Sequence, residues 1–142
     1  MLQSIHSTLA YAVLGILILA VINAFLGLSA KRNFTKNDRS LSLIALILSH
    51  IQLLVGLVLY FTNDKFEQWT LLGMKIMKNS DLRLVLVEHP LVNILAIALI
   101  TIGWSKHKKE ESSNGKFKKI GLLYFSGLLF IISRIPWTNW MA

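Results

Sequence analysis

Four long apolar runs, separated by short charged stretches, leave this chain few ways to fold. They cover residues 9–30, 41–62, 84–104 and 120–137. The first 30 residues contain no Lys, Arg, Asp or Glu. Each run is close to the ~20 residues that carry an α-helix across ~30 Å of hydrocarbon. Membrane strands would show ~10-residue stretches of alternating polarity, and these runs do not alternate. A helix also satisfies its own backbone polar groups where no water reaches. The expectation is an all-α integral membrane four-helix bundle, a single transmembrane domain over 1–142 with spans near 6–30, 41–62, 84–104 and 120–140. The hydrophobic share of 54% and mean hydropathy of +0.58 agree with that. The first run lacks the basic n-region of a signal peptide and exceeds the usual 7–15 apolar residues, so it reads as a retained span.

A net charge of +8 raises the question of nucleic acid. The placement of the charge answers it. Ten of the fifteen Lys and Arg residues lie in 31–40 and 105–119. The connection 63–83 carries four and the N-terminal tail none. Under the positive-inside rule the two basic loops are cytoplasmic and both termini lie outside, an N-out/C-out topology. The basic loops then act as topology signals and contacts to anionic lipid, with no nucleic-acid role. Trp137 and Trp140 suit an interfacial anchor on the outer side. In 63–83, Asp64 followed by Glu67 reads as a helix cap, and interspersed Phe66, Trp69, Leu72, Met74 and Met77 suggest a short amphipathic helix on the outer surface. The chain has no cysteine, which removes disulfides, thiolate metal sites and cysteine nucleophiles.

An ionisable residue inside a span is costly and is a functional candidate by default. His50 falls near the middle of the second span. Glu88 and His89 fall just inside the outer end of the third, Arg134 near the outer end of the fourth, and His6 at the outer start of the first. His107 stands in a lysine run and reads as solvated. At 1.5 Å per residue His89 lies about 8 Å below the outer boundary and His50 about 18 Å. His6 and His89 therefore match in depth better than His50 and His89. Imidazole is the usual axial ligand of haem iron in helical bundles, and arginine pairs with carboxylates as a planar fork. His6, His50 and His89 are candidate iron ligands for a haem b, and Arg134 a candidate partner for a propionate. Small and polar residues follow these positions at helical spacing: Ala10 after His6, Asn93, Ala96 and Ile100 after His89, and Ser49, Gln52, Gly56 and Tyr60 on a face beside His50. Such residues also serve plain close packing of membrane helices. A zinc site competes for two histidines and a carboxylate, but HEXXH is absent and Glu88 and His89 point about 100° apart on a helix.

The stretches HSTLAY, SHIQLLVGLVLYF, EHPLVNILAIALITIGWSKHKK and SRIPW resemble a group of small bacterial four-helix membrane proteins labelled cytochrome b-like. The resemblance runs over almost the whole chain. It implies that His6, His50, His89 and Arg134 are signature positions, that haem b is the cofactor, and that the bacterial cytoplasmic membrane is the location. The architecture is more distantly similar to the four-helix membrane protoporphyrinogen oxidases. Those carry a lysine in the third helix, where this chain has none before Lys106. The reading that results is a haem b protein passing electrons, to or from quinone or within a larger membrane complex. The alternatives are a non-redox accessory subunit of such a complex, a haem-dependent porphyrinogen oxidase, and a small transporter or proton channel.

Overall fold

The computed structural model describes residues 1–140. Among them are four long helices: α1 (Leu2–Ser29), α2 (Lys36–Thr62), α3 (Ser80–Lys109) and α4 (Ser113–Ser133). They pack as an up-and-down bundle in which each helix lies beside its sequence neighbours and α4 closes back on α1. α1, α2 and α3 are each long and apolar enough to cross a membrane. The protein is thus a multi-pass helical membrane protein. Its outer surface agrees, because Leu19, Leu26, Leu54, Phe61, Leu95 and Leu129 are all exposed. A water-facing surface rarely carries so continuous an apolar belt. α4 is apolar only from Ile120 onward, and that part spans about 21 Å at 1.5 Å per residue.

Small residues draw the helices together, as expected where lipid offers no hydrophobic drive between them. A Cβ on Gly127 would stand 2.8 Å from Ile100 Cγ1 and 2.9 Å from the Ala96 carbonyl oxygen, so α3 and α4 meet nearly backbone to backbone. Tyr124 is fully buried, and its hydroxyl donates to the Ser42 carbonyl of α2 at 2.9 Å.

Both basic loops lie at one end of the bundle, tied by the Phe34 amide donating to Ser113 Oγ at 2.9 Å. There Thr35 and Asp38 form a reciprocal capping box at the start of α2. Asp38 also accepts from Asn23 at 2.9 Å and pairs with Arg32 at 2.9 Å. Burial pushes the Asp38 carboxyl up, but the hydrogen bonds from the Thr35 amide, Asn23, Arg32 and the Thr35 hydroxyl outweigh it and hold the group below its ordinary value. His107 is not solvated as the lysine run suggests. It is 2% exposed, because α3 continues to Lys109 and the Phe34 ring folds over the imidazole. Burial holds it below the ordinary histidine value against its hydrogen bond to the Trp104 carbonyl, and Lys116, Arg39 and Lys108 push the same way as burial.

At the other end, the chain from Asn63 to Asn79 is helical only in pieces: 3₁₀ turns at Asp64–Glu67 and Gly73–Lys78 around a short α-helix at Gln68–Leu72. It is not one amphipathic helix. Gly73 breaks it at φ +56°, a left-handed conformation that a side chain would strain. The cap is also one residue earlier than the sequence suggests, since the Asn63 side chain, not Asp64, accepts from the Lys65 amide.

Candidate functional site

A cavity of about 590 Å³ lies inside this second end of the bundle. That is within the ~300–1,000 Å³ of cofactor sites. All four helices and the segment after α4 contribute to its wall, for example Ala10, Ser49, Gln52, Asn93, Ile131 and Trp140. The polar and small face read along α2 (Ser49, Gln52, Gly56, Tyr60) is one side of it, and His6 and His89 enter from α1 and α3.

The two imidazoles pack edge-on, with ring centres 6.1 Å apart and planes at 87°. Their outer edges are held differently. His89 Nδ1 lies 2.8 Å from the Arg134 carbonyl oxygen. A hydrogen bond there fixes the proton on Nδ1 and leaves Nε2 with its lone pair. The Nδ1 edge of His6 stands against α2 at Gly56, where a Cβ would lie 3.1 Å from His6 Cε1 and 3.5 Å from Nδ1. Gln52 Nε2 donates to the His6 carbonyl at 2.9 Å and pins this turn of α1 to α2. His6 Nδ1 and Gln52 Oε1 are both buried without a hydrogen-bond partner. Such orphans are rare in finished interiors and mark a place completed by water or ligand.

The local build of α3 explains how Glu88 and His89 separate. Leu84–Glu88 is a π-helical turn, in which the His89 amide bonds to the carbonyl of Leu84, five residues back. Such widened turns recur at functional sites. The cause is Pro90. A proline ring clashes with the carbonyl four residues before it and has no N–H to offer it, and here that carbonyl is Leu86. Glu88 turns away from the cavity and pairs with Arg83 at 2.8 Å and Arg134 at 3.2 Å.

Of the four residues singled out from the sequence, the structure brings together His6 and His89. His50 lies elsewhere, with Nδ1 2.8 Å from the Leu46 carbonyl and Nε2 3.3 Å from Thr101 Oγ1. The Arg134 guanidinium is taken by Glu88, and it is the Arg134 carbonyl that meets the site. Tyr60 and Trp69 also belong to the site's frame, through hydrogen bonds whose partners lie too far along the chain for periodicity to reveal.

Two imidazoles in the wall of one cavity are donors of the kind that a haem could use. Among the described residues no group of three or more His, Asp or Glu side chains converges, so the pair suits a metal that brings its other ligands with it. An imidazole nitrogen binds a metal at about 2.0–2.1 Å, which places two ring centres facing across one ion about 6 Å apart. Edge-to-face packing of two rings falls in the same range. Compared with protein families, curated proteins and solved structures, the chain finds no match.

Proposed function

We propose that this protein holds haem b between His6 and His89 within the membrane and passes electrons through it. The observation that carries the reading is the pair of imidazoles, 6.1 Å between centres, in the wall of a cavity lined by all four helices. Bound haem supplies one-electron exchange at its iron. The chain's own residues do the rest. The Arg134 carbonyl orients His89, Gly56 makes room for His6, and Gln52 fixes the level of α1. Ser49, Asn93 and Ile97 close the inner end of the cavity toward the bundle core. If His6 and His89 both held the haem, no position at its metal would be left open for a substrate, which would suit electron transfer. The resemblance to the cytochrome b-like proteins supports the same reading, with a quinone or a neighbouring membrane subunit as the electron partner.

With 31–40 and 105–119 cytoplasmic, α4 and its continuation to Trp140 form the fourth span, both termini are outside, and the cavity lies toward the outer face of the bacterial cytoplasmic membrane. Exposed Leu71 and Met74 beside Lys75 and Lys78 suit an outer membrane interface.

The test is an absorption spectrum of detergent-purified protein before and after dithionite, with a pyridine haemochrome assay. The expected result is a reduced α-band of b type that is lost in His6→Ala and in His89→Ala and kept in His50→Ala. A folded wild-type chain with a featureless spectrum, unchanged by added hemin, leaves the accessory-subunit reading in its place.

A further inference from the structure

Pro90 has no N–H to give the Leu86 carbonyl, and a buried carbonyl without a donor is costly. The donor arrives from another helix. Tyr60 Oη donates to the Leu86 carbonyl oxygen at 2.9 Å, and it accepts from Trp69 Nε1 at 3.0 Å. Tyr60 and Leu86 both stand in the cavity wall. The widened turn that contains Leu86 ends at Glu88, and the next residue is His89. Trp69 brings in the outer segment, whose Phe66 also packs on Tyr60 with ring centres 5.4 Å apart. One hydroxyl therefore joins three things: the end of α2, the outer segment, and the turn that sets the azimuth of His89.

We propose that Tyr60 is a positioning residue for His89: its hydroxyl, held in direction by Trp69, stabilises the widened turn Leu84–Glu88 in the register that points His89 into the cavity. The ligand consequence rests on the haem reading, while the mechanical link does not. A regular α-turn before His89 would rotate Glu88 and His89 against the rest of α3. The imidazole would then leave the Arg134 carbonyl, and Glu88 would leave its two arginines.

The test compares wild type, Tyr60→Phe, Trp69→Phe, Pro90→Ala and the Tyr60→Phe/Pro90→Ala double variant as full-length protein in detergent. Two quantities are read: amide exchange over 84–93 in the haem-free protein, and spectroscopic titration with hemin. Loss of the hydroxyl is expected to speed exchange in that segment about tenfold and weaken hemin binding by about 10–100-fold, the usual effect of removing a partner that orients a metal-binding histidine. Trp69→Phe should have a smaller effect of the same sign. Pro90→Ala restores an N–H four residues after Leu86. In that background Tyr60→Phe should change both readouts by less than about threefold, because interacting sites are not additive. Unchanged exchange in Tyr60→Phe overturns the proposal whatever hemin does, as does an equal loss with and without Pro90. If wild type takes up no hemin, the haem reading falls, and the exchange data still decide the role of Tyr60.

Discussion

Gly56 fixes how near the first helix may stand to the second. A Cβ there would press on His6 Cε1 at 3.1 Å, closer than most such contacts, and a larger side chain would displace the ring. Gly56→Ala is expected to weaken hemin binding several-fold, and Gly56→Val to abolish it at a stability cost of about 1–3 kcal/mol from overpacking. Hemin titration and thermal melting of the two variants measure both effects. Residue by residue, the sequence reveals depth better than direction. Counting 1.5 Å per residue places His6 and His89 at one level, as the structure does. It also draws attention to Arg134, whose side chain goes to Glu88 instead. The reason is the π-turn, which shifts the register of α3 just where the reading needs it. His107 reads as solvated because its neighbours in sequence are lysines, whereas its burial comes from Phe34 in the preceding basic loop.

The helix ends show the same division between what is local and what is not. Thr35 and Asp38 have the spacing of a capping box, a signal present in the sequence that marks the start of α2 five residues before its apolar run would. Asn23 and Arg32, which complete the network, could not be assigned from spacing. Asp38→Asn keeps the cap acceptor and loses the charge. It should cost about 1–3 kcal/mol, as for hydrogen bonds to a charged group. The pH dependence has a definite sign. Asp38 binds its proton less readily in the fold than its ordinary value of 3.8 implies. Its contribution is therefore complete above that value and is lost as the pH falls below about 4 through the folded-state value. Melting of wild type in detergent should fall across that window, and the fall should be smaller in Asp38→Asn. Pro90 belongs to this scale too. It is the one residue from which a break in α3 could be expected, although the tyrosine that answers it is found only in the fold.

At the scale of the molecule, the bundle was legible because hydropathy and charge placement are long-range patterns that survive any error in a single turn. The cavity was not, since it depends on which faces meet. Orientation is testable because the chain has no native cysteine. Single cysteines at Thr70, in the segment between α2 and α3, and at Asn114, in the first turn of α4, should separate cleanly. In intact cells an impermeant maleimide is expected to label Thr70→Cys alone, with Asn114→Cys reacting only after lysis. The reverse pattern overturns the N-out/C-out arrangement. The cavity wall draws on every helix, and its last pieces, Ile135, Pro136 and Trp140, lie close to the C-terminal end of the sequence. His6, on α1, is therefore walled in only once α4 and the turn after it have packed against the other helices. A chain shortened to end before Ile131 should keep both histidines yet lose hemin binding, because Ile131, Ile135 and Trp140 wall the cavity in which they meet.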